Sequence, residues 1–399
     1  MKKKIAILLS VILVLPTFLV PLSSCHSQKL AGHEFYTDPN VAAIDFAIRL
    51  FQQSVPSDDS AMISPLSVLC ALAMVANGAD GNTLAQMEQV FRFSASDLNE
   101  YLHNYLGTLS STEQCKFTLA NSIWLRDDFA PTVKKGFLQD TKDYYGVSVF
   151  NRPFTIQTVD EINEWVKDNT LGLIDKILAV IPEDAVMYII NALALDAEWE
   201  NIYKTSNIRD GEFTAHSGIK QKVEMMYSYE NSFLDDGSAT GFIKHYVGGR
   251  YAFAALLPNE GLSVENYIKT LSGQKLANTL SNAKSVRVSA AIPKFEKEYS
   301  LEMSDILQTM GISDAFSGKA NFSKISDSAL QISRVIHKTF ITVDEKGTKA
   351  GAATLVEMTI SSGYPPIETK IVHLDRPFVY MIIDCETNLP VFIGTVLDV

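Results

Sequence analysis

Between two apolar, strand-like stretches near the C-terminus runs EKGTKAGAAT, Glu345 to Thr354, followed by a long segment with no regular pattern. The stretch before it, His337 to Asp344, alternates like a strand. Read as extended chain, the stretch after Gly347 keeps one parity. Thr348, Ala350, Ala352, Thr354, Val356, Met358 and Ile360 share a face that is small at first and apolar later. Lys349, Gly351, Ala353, Leu355, Glu357 and Thr359 share the other, where Lys349 and Glu357 need water. The span from Gly347 to the next strong strand signal at Asp375 is too long for an ordinary connection in a compact domain. Two readings stay open: a flexible Ala/Gly loop, or a segment that is a loop in one state and a strand in another. Small residues from Thr348 to Ala353 suit the second, because they enter between existing strands without displacing core side chains.

At 399 residues and 47% hydrophobic, the chain can bury a sizeable core, in one large domain or two to three ordinary ones. No internal repeat or long Pro/Gly/Ser linker divides it. Its first residues, MKKKIAILLSVILVLPTFLVPLSSC, have the layout of a secretory leader: Lys2, Lys3 and Lys4, an apolar run, then Leu22-Ser-Ser-Cys25. That ending resembles a bacterial lipobox, in which cleavage precedes the cysteine and its thiol takes a diacylglycerol. The expected organisation is a leader over 1–24, a polar tether over 25–38 and one folded domain over 39–399, with Cys25 as the lipidation site. Export to the bacterial envelope follows, at its periplasmic face or surface. Plain secretion and an uncleaved membrane anchor are the competing readings, although Pro16 and Pro21 interrupt the apolar run.

Removing the three leader lysines takes the formal charge from -12 to -15. So acidic a chain repels nucleic-acid backbones and anionic membrane surfaces, so no nucleic-acid partner is expected and lipid must hold it at a membrane. Cys70, Cys115 and Cys385 remain, an odd number without metal-type spacing. Cys70, in the helical run Val68 to Leu72, reads as a buried structural thiol.

A helix begins near Val41, with Ile44, Ala47, Ile48 and Phe51 on one face; a second follows Ser64-Pro65 and ends at Asn77-Gly78. Thr158-Val-Asp-Glu161 reads as a capping box opening a third, which stops at Gly172. Strands are expected at 122–125, 188–195, 252–257 and 285–292, and a C-terminal hairpin pairs 378–383 with 391–396. Early helices and later strands without strict alternation indicate an α+β fold. The chain contains no GxSxG, HExxH, GxxxxGK[ST] or CxxC motif, and its histidines are scattered singly. No catalytic residue, metal or cofactor is expected, and the chain reads as a non-enzyme.

Taken with its neighbours, the small-residue run carries a family resemblance. Glu345 to Thr354 resembles the hinge of inhibitory serpins. Ser64-Pro-Leu-Ser67 with Ala71-Leu-Ala-Met74 and Asn77-Gly-Ala79 resembles the family's second helix. Asn121-Ser-Ile-Trp124, Ile162-Asn-Glu-Trp-Val166, Asn191-Ala-Leu193 with Trp199, and Ile292-Pro-Lys-Phe295 follow in family order. So do Met310 to Phe316 with Phe322-Ser323, Asp375-Arg-Pro-Phe378 and Phe392-Ile-Gly394. The resemblance runs from about Val41 to Val399. It implies early helices on a large central sheet, mixed or antiparallel, with further sheets and an exposed reactive loop over about 345–374.

The resemblance also implies a mechanism. A target protease attacks the loop and forms an acyl-enzyme; the freed hinge inserts as a new central strand and carries the protease with it. The hinge residues would be Glu345, Gly347, Thr348, Ala350, Ala352, Ala353 and Thr354, with Thr348 the first side chain to enter. Ser64, Asn191 and His337 match a polar cluster beneath the sheet's middle, and Trp199 the point of first insertion. Read without the family, Trp199 is plain core and His337 a satisfied buried imidazole. Lys349 stands in place of a usual glutamate, and Ala194 and Asp196 in place of an aromatic and a basic residue. Counting from Gly347 puts the reactive bond at Ser361-Ser362, with Tyr364 the alternative. The implied partner is a serine protease, elastase- or subtilisin-like, bound covalently by a monomer. A non-inhibitory serpin serving as a binding or surface-interaction lipoprotein is the alternative.

Overall fold

The computed structural model describes residues 35–56, 58–347 and 368–399, together with the backbone of 6–16. Its strands in chain order begin with β1 (Ala6–Pro16), β2 (Met62–Ile63), β3 (Cys115–Arg126), β4 (Ser148–Arg152) and β5 (Ala185–Ala197). Next come β6 (Ile208–Thr214), β7 (Lys220–Asp235), β8 (Ala239–His245), β9 (Tyr251–Pro258) and β10 (Lys284–Pro293). The last are β11 (Phe295–Glu302), β12 (Arg334–Val343), β13 (Thr369–His373), β14 (Phe378–Asp384) and β15 (Leu389–Val396). They form two sheets. One has six strands in the order β11-β12-β1-β5-β3-β4, and the other follows the path β13-β10-β7-β8-β9-β14-β15-β2, with β6 beside β7.

Between the sheets lies α2 (Pro65–Ala76), which follows α1 (Pro39–Ser54) and touches both β5 and β15. Every residue of α2 is buried, which is why PLSVLCALAMVA is apolar all round rather than on one stripe. Ser64 caps it, its side chain accepting from the Ser67 amide at 3.4 Å, and Pro65 occupies the first helical position, where a missing N–H costs nothing. Cys70 lies in this helix as a free, buried thiol, pushed up to about 12 by burial.

β5 is buried over its whole length, and its side chains divide by parity. Met187, Ile189, Leu193 and Leu195 join the main core with α2, whereas Tyr188, Ile190 and Ala194 pack against Ile162 and Val166 of the helix Ile156–Asn169 on the other face. β12 divides the same way: Val335, Ile341 and Val343 face the main core, and Ile336 and Phe340 the second cluster. Asn191 and His337 share parity with the main-core sets, so both are directed to the α2 side.

Residues 6–16, expected as part of a leader outside the folded domain, run as β1 between β5 and β12, antiparallel to both. Its backbone supplies the ladder that two parallel neighbours one strand apart both lack.

One local expectation is corrected. The helix around Trp165 begins at Ile156 with Thr155 at its N-cap, so Thr158 lies within the first turn and no capping box forms. The buried Thr158 side chain faces the core, and Glu161 pairs instead with Arg152. The expected strands at 122–125, 188–195, 252–257 and 285–292 are all present but longer, and the hairpin turns through Asn388 at φ 58°.

Candidate functional site

Two groups of residues lie along the gap between β5 and β12 that β1 fills, one at its middle and one at its end. At the middle, the Ser64 amide donates to Nε2 of His337 at 3.1 Å. That bond makes Nε2 the acceptor and puts the ring proton on Nδ1, which has no hydrogen-bond partner among the described residues. Complete burial pushes the imidazole down to about 3, so it is neutral throughout the physiological range. Across the gap, Asn191 donates to Oδ1 of Asn121 at 2.8 Å, while its own Oδ1 lacks a partner. Asn191 and His337 stand opposite the same residue of β1, Val11. The middle of the sheet therefore has unsatisfied polar atoms on both sides of one strand position, a costly arrangement that two well-packed strands would not need.

At the end of the gap, β12 runs into a tight reversal, Asp344 to Gly347. Gly347 has φ 90°, and a Cβ there would lie 2.4 Å from the Trp199 amide nitrogen and 2.6 Å from the Ala197 carbonyl oxygen. Only glycine fits. Three consecutive carbonyls of the reversal are held by two residues. The Trp199 indole N–H donates to Asp344 O at 2.9 Å, the Trp199 amide to Lys346 O at 3.1 Å, and the Tyr203 amide to Glu345 O at 2.8 Å. Trp199 is fixed in turn by stacking on Tyr246, with centroids 4.5 Å apart.

Charge closes the same site. Lys294 reaches Glu345 at 2.9 Å and Glu224 at 3.1 Å. Partial burial opposes ionisation of Glu345, but the Lys294 contact outweighs it and holds the carboxyl below its usual value. Asp344 is pushed the other way, up to about 6, chiefly by burial and against the hydrogen bond it accepts from the Lys346 amide. Ala194 and Asp196, the departures noted above, are both buried in β5 just before Trp199.

Of the residues singled out in the sequence, Ser64 and His337 are in contact, and Asn191 faces them across β1. Trp199 lies apart from them, at the reversal containing Glu345 and Gly347. Thr348, Ala350, Ala352, Ala353, Thr354, Ser361, Ser362, Tyr364 and Cys25 lie outside the described residues. Sequence reasoning missed Tyr203, Lys294 and Asp344 as hinge contacts. Ile292-Pro-Lys-Phe295 was visible as a family block, but nothing in it pointed to Glu345. Among the described residues no cluster of three or more His, Cys, Asp or Glu could hold a metal ion.

A six-stranded sheet with β1 in the position between β5 and β12, and a glycine reversal at the end of that position, defines the site. The family model described as "Serpin (serine protease inhibitor)" matches residues 41–399, and the chain belongs to the serpin family. It is 32% identical over 372 residues to an uncharacterized serpin-like protein of Thermococcus kodakarensis, covering 90% of this chain and 86% of that one. The thermophilic serpin tengpin in its native state superposes with a TM-score of 0.84 at 46% identity, covering 94% of this chain and 98% of tengpin's. The same protein in its latent state gives 0.80 at 46% identity, covering 92% and 100%. Serpins are, as a family, protease inhibitors that act on their targets by covalent complex formation rather than by catalysis.

Proposed function

We propose that this protein is a loop-inserting suicide inhibitor of serine-type endopeptidases, elastase- or subtilisin-like, tethered at the bacterial envelope through a lipid on Cys25. The observation that carries this reading is the strand position between β5 and β12, which accepts an extended backbone on both edges and begins where Gly347 releases the chain. Asp344 and Gly347 already bridge antiparallel. Continued in that register, Thr348 comes opposite Val343 and Thr354 opposite His337, so Thr348, Ala350, Ala352 and Thr354 all face the α2 side. Cleavage of the leader before Cys25 empties the position that β1 fills in the uncleaved chain.

The energetics support the reading. A strand of about a dozen residues bonded on both edges gains roughly 10–20 kcal/mol at about 1 per net hydrogen bond. That rivals the roughly 5–15 kcal/mol stability of a whole domain. The uninserted form is then held kinetically, and cleavage of the loop at Ser361-Ser362 releases it while the protease is still acylated.

The test is incubation of the leaderless protein with trypsin-, chymotrypsin- and elastase-like enzymes, resolved on a denaturing gel. A band at the summed mass, strongest with the elastase-like enzyme, is expected. Clean loop cleavage without any such band refutes inhibition and leaves the binding-lipoprotein reading. Anchoring is tested separately, since Cys25→Ser should move the protein out of the detergent phase or leave it unprocessed.

A further inference from the structure

Lys244 is a buried lysine, 2% exposed, on β8. Its Nζ donates to Oε1 of Glu230 at 3.0 Å and to the carbonyl of Asn201 at 3.0 Å. It also lies 4.5 Å from the ring centroid of Tyr203 and 5.4 Å from that of Trp199. Lysine is rarely buried so completely, and a charge placed between two aromatic faces with a carboxylate behind it is a fixed arrangement rather than a solvated one. The two rings belong to the residues whose N–H groups hold the carbonyls of Asp344, Glu345 and Lys346.

We propose that Lys244 is a positioning residue for the hinge: its ammonium group locks Trp199 and Tyr203 against one another and so fixes where Gly347 delivers the chain to the gap between β5 and β12. The lock is one contact removed from the hinge. Glu230 orients the ammonium and is itself held by Ser228, whose hydroxyl donates to Oε1 at 2.7 Å. A cavity of about 180 Å³, lined by Glu230, Asn201, Ser232 and His245 among others, adjoins the pair. Water there can take over the hydrogen bonds of Glu230, so removing the lysine need not unfold the sheet.

Loss of the cation leaves both rings in place but free to rock. The three hinge carbonyls then lose their donors part of the time, insertion starts late, and hydrolysis of the acyl-enzyme competes better. The consequence for inhibition rests on the loop-inserting reading; the consequence for the reversal does not.

The test uses the leaderless protein, with K244M/E230Q removing the ion pair, K244R keeping the charge, and E230Q alone as a milder variant. Amide hydrogen exchange at Trp199 and Tyr203 should quicken by at least about tenfold in K244M/E230Q, by less in E230Q, and stay near wild type in K244R. Exchange in β4 and β15, which do not border β8, should not change. With an elastase-like protease, K244M/E230Q should consume about threefold more inhibitor per enzyme inactivated at an unchanged association rate, the shift expected of one cation–π contact. Unchanged exchange at Trp199 and Tyr203, in the double variant or in E230Q if the double variant does not fold, overturns the proposal, as does equal quickening in K244R. Quickened exchange in a protein that forms no protease complex even as wild type sustains the positioning role and refutes the inhibitory reading instead.

Discussion

The indole N–H of Trp199 donates to the main-chain carbonyl of Asp344 at 2.9 Å, joining the chain just past β5 to the first residue of the hinge reversal. The bond lies in buried surroundings, so its acceptor has no water to turn to. Trp199→Phe keeps an aromatic ring against Tyr246 but deletes the donor, together with part of the buried ring. The expected cost is at least about 1–3 kcal/mol of unfolding free energy, from a buried carbonyl left unmet, with the cavity beside Tyr246 adding to it. Urea denaturation checks it, and a midpoint equal to wild type would mean the bond adds nothing.

The polar middle of the sheet predicts an acid-sensitive fold. His337 is held down to about 3, below the value near 6.5 of an unfolded histidine. The unfolded chain therefore takes up the proton first, and the folded state loses stability as pH falls from about 6.5 toward 3. Asp344 works in the opposite sense. Its carboxyl is raised to about 6 from about 4, so it favours the fold at low pH and loses that contribution as pH rises through that window. His337→Gln should flatten the loss below pH 6.5, and Asp344→Asn should steepen it between about pH 4 and 6. Denaturation midpoints measured across pH 3.5–7.5 with both variants separate the two contributions, and identical profiles for His337→Gln and wild type would remove His337 from the account.

Thr348 follows the reversal directly and in the proposed register comes opposite Val343, on the α2 side. A guanidinium cannot be buried there unpaired. Thr348→Arg should fold normally yet behave as a substrate, cleaved without forming a complex. Inhibition equal to wild type would show that this parity does not enter the sheet.

The cut site follows from the same count. No Lys or Arg lies between Lys349 and Lys370, so a trypsin-like specificity pocket finds no partner in the loop. Cleavage after Ser361, with Ile360 before it, suits a small apolar pocket. Mass spectrometry of the C-terminal fragment should find Ser362 at its start. A fragment beginning at Pro365 would move the bond to Tyr364 and the target to a chymotrypsin-like enzyme.

Local chemistry made some of this fold legible in the sequence. Ser64-Pro65 states a helix start outright, the apolar run of β5 declares a strand buried on both faces, and the hairpin of β14 and β15 is flagged by its turn residues. The capping box at Thr158 misled because an identical pattern within the first turn of a helix can be buried instead of capping. The hinge contacts were out of reach for a different reason. Lys244 on β8, Glu230 on β7 and Lys294 between β10 and β11 carry no local signal, and only tertiary packing brings them beneath Trp199 or beside Glu345. Gly347 was visible as small, but its need for φ 90° arises from the backbone of Ala197 and Trp199, far away in the chain.

The ladder of β1 with β5 and β12 is made of main-chain groups, and main-chain groups are the same in every peptide. An opening of that kind selects for extended shape and accepts sequence almost indifferently, so rivals for it are excluded by timing and not by fit. On the proposed reading, export provides the timing, because the leader and the reactive segment belong to successive stages in the life of one polypeptide. Faulty processing of the leader would on this view do more than misplace the protein: it would leave a correctly folded molecule with nowhere for its own hinge to go.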